Sequence, residues 1–312
     1  MVIELENTNS ILFNGHDVQK VIFNGVEVWT KGGYIDYSTL PLTFEFISSG
    51  TIYWKSKGSG GEKTISYSIN DGSWNSITAD TTGVGISVSS GDKIRFKGNN
   101  LYYNNGDTSS HAYRNNYSFF DIPKDVECNV YGNIMSLING TDFVGTGLSS
   151  DNIAAFVQIF KPSNTTDGSG IVDASNLILP DGNVIGCFRA MFAGCKKMTK
   201  APKEVYILNV SGATHKCYYM FENCISLTTA PTLPSFTVSN YDYQYMFTGC
   251  TSLTSCTCLL DYPSFGSSGG RCYNMFRNIT TSGTLTASSR ASGRWTQGAN
   301  GVPTTWSITY LT

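Results

Sequence analysis

Charge is what this sequence has least of. Only 14% of its 312 residues are Asp, Glu, Lys or Arg, where about 25% is ordinary for a soluble domain. The 21 basic and 23 acidic side chains leave a net charge of −2 and form no Lys/Arg run. The electrostatic footprint of a nucleic-acid-binding protein is therefore missing. Long apolar runs are missing too. Nothing approaches the ~20 apolar residues of a membrane-spanning helix, so no membrane insertion is expected. The first ten residues, MVIELENTNS, have neither the charged start nor the apolar centre of a secretory signal, and no such leader is expected. Histidine is reduced to His16, His111 and His215, far apart in the chain. No metal and no cofactor is expected.

Hydrophobic residues make up 40% of the chain, enough for real cores, and Gly, Ser, Thr and Asn fill the space that charge leaves. That mixture suits short strands and turns and suits long helices poorly, so the expected class is mainly β. Nine cysteines stand at 128, 187, 195, 217, 224, 250, 256, 258 and 272. Cys256-x-Cys258 has no second matching pair, which argues against zinc. Buried free thiols, packing as small hydrophobes, are the reading preferred over disulfides.

Along the chain, residues 1–33 read as an N-terminal hairpin segment. Asn14-Gly15 and Asn24-Gly25 each follow an apolar-Phe pair, and Asn-Gly favours the tight hairpin turn. A small meander of three short strands is expected, too small to bury a core alone. Residues 34–132 alternate with period two. Ile65, Tyr67 and Ile69 share a face, as do Ile86, Val88, Ile94 and Phe96. Turn signals at 59–61, 70–72, 90–92 and 104–106 separate the runs, which predicts an antiparallel β-sandwich. Trp54 and Trp74 are expected in or near its core, and Asp71 and Asp92 at turns.

From residue 133 a repeat appears. Met-Phe recurs at 191–192, 220–221, 246–247 and 275–276, with Ile159-Phe160 as a degenerate copy, at intervals of 32, 29, 26 and 29 residues. Four residues past the Met stand Cys195, Cys224, Cys250 and Ile279; three before it stand Phe188, Cys217, Tyr243 and Cys272. Apolar columns at this period predict a solenoid over 133–286, in which each coil buries its face only against its neighbours. Lys216, Asp242 and Arg271 occupy one column and alternate in sign, which reads as fixing register. Residues 287–312, with Trp295 and Trp306, break the period and read as a C-terminal cap.

The unit MFxxCxxLTxAP resembles the BspA-type leucine-rich repeats of gut-bacterial surface proteins. The succession of sandwich, repeats and WTQGANGVPTTW ending resembles proteins encoded by Bacteroides and their phages, and the first 30 residues resemble Asn-Gly hairpin modules of phage tail and fibre proteins. The resemblance implies a non-enzymatic virion protein, a head or tail fibre or decoration protein made in the host cytoplasm. Residues 1–31 would attach it to other virion proteins, with Phe13, Asn14, Gly15, Phe23, Asn24, Gly25 and Trp29 as anchoring candidates. A homotrimer is expected. A secreted or surface-anchored bacterial adhesin with the same repeats, located at the cell surface, is the alternative.

Adhesion to host-surface or mucus glycans needs flat aromatic faces beside polar groups. Tyr218, Tyr219, Tyr241, Tyr245 and Tyr273 crowd just before the Met-Phe pairs; they either pack as an aromatic ladder or bind sugar. A polysaccharide depolymerase, the third reading, needs two facing carboxylates. From Cys187 onward only Glu204, Glu222, Asp242 and Asp261 are acidic. Gly266–Gly270 reads as a flexible loop, because no helix with Lys-Ser/Thr follows it.

Overall fold

The computed structural model describes residues 35–58, 60–107 and 115–312, and between residues 11 and 30 the backbone of four short strands. The chain divides into two compact units, Met1–Tyr37 and Ser38–Thr312. Among the described residues it is mainly β, and helix is confined to one turn, α1 (Ser136–Asn139), and short 3-10 segments.

In the first unit, β1 (Ile11–Phe13) pairs antiparallel with β2 (His16–Val18), and β3 (Lys20–Phe23) with β4 (Val26–Thr30). Phe13 is opposite His16 and Phe23 opposite Val26. Asn14, Gly15, Asn24 and Gly25 lie outside the described residues, as do the side chains of Phe13, Phe23 and Trp29. The expected three-strand meander is corrected to two separate hairpins. Each pair has its own register, with two residues between the paired ends, so His16–Val18 and Lys20–Phe23 serve as two strands rather than one shared between both pairs.

The second unit begins with two facing sheets. One runs β12 (Cys128–Asn133), β5 (Leu42–Phe46), β10 (Lys93–Lys97), β7 (Thr64–Ile69), β8 (Asn75–Thr78); the other runs β11 (Tyr117–Asp121), β6 (Gly50–Lys57), β9 (Val84–Val88). Alternation decides which side chains meet between them. Phe120 lies 4.9 Å from Phe44, 4.7 Å from Phe96 and 4.7 Å from Trp54, centroid to centroid. Ile65, Ile86, Val88 and Ile94 are buried as the period-two pattern requires. Trp74 is not: it is 42% exposed, and the Lys97 ammonium lies 4.1 Å from its ring centroid. It precedes β8, the edge strand, so no second layer covers it. Asn70 and Asp71 both take left-handed φ in the β7–β8 turn, and Asp92 accepts bonds from Asn70 and the Ser89 N–H.

The boundary expected at residues 132–133 falls inside β12. One edge of β12 pairs antiparallel with β5; the other pairs in parallel with β13 (Ile171–Asp173) and β14 (Leu177–Ile178). Single parallel bridges then carry the pairing from Asp173 to Lys200, Thr229 and Ser255. Ser255 opens β15 (Ser255–Cys258), which pairs in parallel with β16 (Gly283–Ala287), and β16 with β17 (Trp306–Tyr310). One hydrophobic core extends without a break from Leu42 to Trp306.

Stacking of equivalent residues is explicit in the phenylalanines. Phe160 packs on Phe120 at 6.0 Å, and then Phe160–Phe192, Phe192–Phe221, Phe221–Phe247 and Phe247–Phe276 follow at 5.1, 5.4, 5.5 and 5.9 Å. Trp306 ends the file at 5.2 Å from Phe276. The backbone around each Met-Phe pair is neither helix nor strand. The N–H groups of Met220, Glu222 and Cys224 close four-residue turns onto Cys217, Tyr219 and Phe221. Those of Tyr219, Phe221 and Asn223 reach the carbonyls of Gln244, Met246 and Thr248 in the next repeat. Alternate donors thus satisfy the turn and the stack, and few buried groups are left unpaired.

All nine cysteines are buried and unbridged. Their column has a specific partner. The Sγ of Cys195, Cys224 and Cys250 donates to the carbonyl oxygen of Phe160, Phe192 and Phe221, one repeat earlier, at 3.3, 3.2 and 3.0 Å. The charged column is engaged as well. Lys216 Nζ and Asp242 Oδ2, both fully buried, lie 2.9 Å apart. The lysine also donates to Ala213 O and Ser239 Oγ, and the carboxylate accepts the N–H groups of Lys216 and Ser239. Arg271 turns away from the pair and donates to the Val238 carbonyl at 2.9 Å.

Candidate functional site

Three turns of the stack place three residues each in the left-handed region, one every fourth position: Gly186, Ala190 and Gly194, then His215, Tyr219 and Asn223, then Tyr241, Tyr245 and Gly249. Three residues past each Met, this conformation falls on Gly194, Asn223, Gly249 and Asn278, the residue types that tolerate it. One residue before the Met-Phe position it falls on Gln158, Ala190 and Asn274, and on Tyr219 (φ 59°) and Tyr245 (φ 56°). Left-handed φ costs a side chain of that size about 1–2 kcal/mol. The backbone is left-handed in this column whichever residue stands there: Gln, Ala and Asn in three copies and tyrosine in two.

The five expected tyrosines come together on one half-buried face of the stack. Tyr219 and Tyr245 stack at 4.7 Å. Tyr218 meets Tyr219 edge-on at 4.4 Å and Tyr245 at 5.6 Å, and Tyr273 meets Tyr245 at 5.6 Å. Tyr241 joins through His215, whose ring is parallel to it at 4.6 Å and lies 5.2 Å from Tyr218. The aromatic ladder expected from the sequence is therefore present, and its rings remain partly exposed to solvent.

Two members of the face were missed in the sequence. His215 occupies the column of Tyr241, five residues before the Met. Arg189 occupies the column of Tyr218, and its guanidinium lies 4.3 Å from the Tyr218 ring centroid. Column alignment, read beyond the apolar positions, would have found both. Beside them Glu222 is half-buried; burial raises its pKa above the usual carboxylate range, against the opposing pull of Lys161. Burial lowers the pKa of Lys161, and neighbouring Lys57 and Arg189 act in the same direction.

Of the other acidic side chains from Cys187 onward, Glu204 is exposed and the two aspartates are occupied by structural partners. Asp242 is held by Lys216, and Asp261 accepts from Ser288 at 2.6 Å and faces Arg290 at 3.6 Å. Gly266–Gly270 also spells Gly-x-Ser-x-Gly, with Ser268 at its centre. Ser268 is exposed in a turn with no strand before it and no helix after it, so the geometry of a nucleophile elbow is not built there. Among the described residues, no group of three or more His, Cys, Asp or Glu is placed to hold a metal ion, and no helix is long and apolar enough to cross a membrane.

Compared with known proteins, the chain matches no family model, no curated protein and no solved structure.

Proposed function

We propose that this is a non-enzymatic structural protein of a phage virion, a head or tail fibre or decoration protein, whose repeats adhere to host-surface or mucus glycans. In this reading Ser38–Thr312 is a β-sandwich continued by a BspA-type leucine-rich-repeat solenoid with a C-terminal cap. Residues 1–31 attach it to the particle, and three copies associate. The observation that carries adhesion is the continuous strip of partly exposed rings formed by Tyr218, Tyr219, Tyr245 and Tyr273 and joined to Tyr241 through His215. Flat rings beside polar groups are the chemistry that sugar faces meet.

The test is a glycan array probed with the intact protein and with Tyr219→Asn/Tyr245→Asn. Asparagine suits the backbone at both sites, so the variant should stay folded and lose binding. Unchanged binding by the variant, or none by the intact protein, sinks the adhesion reading. Attachment is tested separately by deleting residues 1–31. The remainder should fold, since Ser38–Thr312 is compact by itself, and should be absent from purified particles. A secreted or surface-anchored bacterial adhesin would instead be absent from particles even at full length.

A further inference from the structure

One end of the tyrosine strip carries an excess of positive charge. Lys57, on β6, has its ammonium 5.9 Å from the Tyr117 ring centroid. The Tyr117 hydroxyl donates to Gln158 Oε1 at 3.0 Å, and the Gln158 N–H donates to the Arg189 carbonyl at 2.9 Å. Arg189 then covers Tyr218, which contacts Tyr219 and Tyr245. Lys161 belongs to the same turn, its N–H bonded to the Gln158 carbonyl at 3.0 Å. A chain of direct contacts thus joins the two-sheet region to the aromatic face of the repeats.

Lys161 lies within electrostatic reach of two other cations, Lys57 and Arg189, and of one carboxylate, Glu222. Among the described residues neither Lys57 nor Lys161 is ion-paired. Lys57 is exposed and Lys161 partly so, whereas Arg189 is buried; like charges near one another repel, and an anion beside the two lysines relieves that repulsion. The groups lie at one end of the strip, and Tyr273 lies at the other, three repeats from Arg189. Successive repeats are 5.4 to 5.9 Å apart at their phenylalanines. A single sugar ring does not touch both ends; a chain of sugars does.

We propose that the strip binds an acidic glycan, a sugar chain bearing carboxylate or sulfate, whose charge is received by Lys57 and Lys161 while its rings lie on the tyrosines. The inference rests on the adhesion reading and names its ligand class. The probes are a uronate oligosaccharide, a sulfated one and a neutral one of the same length, each titrated against the full chain and against Lys57→Gln/Lys161→Gln. The expected result is about tenfold or greater preference for an acidic probe, lost by a similar factor in the lysine variant, as for the loss of charge-assisted hydrogen bonds. The binding should also weaken with salt. Whichever acidic probe binds more tightly identifies the charged group. Equal binding of the neutral probe, or acidic binding indifferent to the lysine variant, overturns the inference. If that binding is still lost in Tyr219→Asn/Tyr245→Asn, adhesion stands without it. No binding to any probe removes both.

Discussion

The thiol of Cys224 donates a hydrogen bond to the carbonyl oxygen of Phe192, 32 positions earlier in the chain, at 3.2 Å. Cysteine meets two demands there: it fills a small buried space, and it gives a carbonyl that already accepts the Cys195 N–H a second donor.

Reactivity follows from that environment. Burial pushes the thiols of Cys187, Cys195 and Cys258 up to about 12, and those of Cys217, Cys224, Cys256 and Cys272 well above their ordinary value. Thiolate is the reactive form. A thiol-specific chromogenic reagent should therefore find almost no reactive cysteine in the native protein and all nine after denaturation. Cys224→Ala should cost roughly 1–3 kcal/mol in chemical unfolding, from the cavity and the lost thiol bond; the Phe192 carbonyl keeps the Cys195 N–H at 3.0 Å.

For the Lys216–Asp242 pair, singles and doubles should diverge. Asp242→Asn or Lys216→Met alone leaves a buried charge without its counter-ion, at a cost of about 3–5 kcal/mol. Lys216→Met/Asp242→Leu together should lie near the parent in stability. Denaturant midpoints of the three variants test this. A double variant as weak as the singles would show that the pair itself stabilises the stack.

Phe221 sits midway along the ring file, fully buried. Phe221→Ala should lose about 3–5 kcal/mol. Its neighbours Phe192 and Phe247, at 5.4 and 5.5 Å, cannot close the gap, because both are pinned by backbone bonds to adjacent repeats. Thermal unfolding monitored by intrinsic fluorescence reads the loss.

Acid stability should depend on Asp121. Burial acts to raise its pKa, but Lys55 Nζ at 2.7 Å, Ser163 Oγ at 2.6 Å and the Ser163 N–H at 3.0 Å outweigh it and hold the pKa below the usual value. A depressed carboxylate pKa means the unfolded chain binds the proton more tightly. The contribution is complete above the ordinary value of about 3.9 and is lost as pH falls through the folded-state pKa. Asp121→Asn should lower stability at neutral pH and narrow the gap between variant and parent as pH drops below about 4, measured by midpoints across that range.

The repeat was legible because its columns are written in the same letters. Met-Phe, then Cys, then Leu fixed the stacking of Phe192, Phe221, Phe247 and Phe276 before any coordinate. The left-handed column was present too, as Gly194, Asn223, Gly249 and Asn278, yet it reads as ordinary turn composition until the φ angles are known. The bonds from cysteine to carbonyl were not legible, since their acceptor is backbone and has no letter. Nor was the continuity through β12. The texture of the sequence changes at residue 133, but pairing depends on strand edges, and β12 has one edge facing each way. Trp74 misled because a large aromatic ring suggests a core, whereas an edge strand has no second layer to supply one. Of the candidate face, the tyrosines stood out by repetition; Arg189 and His215 did not, because they share a column with tyrosine and not an identity.

The ring file has a modular consequence. Each repeat meets the next ring on ring, as the file does at its ends, stacked on Phe120 and tilted against Trp306. Excising Met246–Asn274 as a block would bring Phe276 onto Phe221 and Thr284 beside Thr229, and would leave Lys216 facing Asp242. Both terminal joints would meet the partners they already accept. The chain is built so that its reach can be shortened or extended in whole rungs, as a ladder is, without redesigning either end.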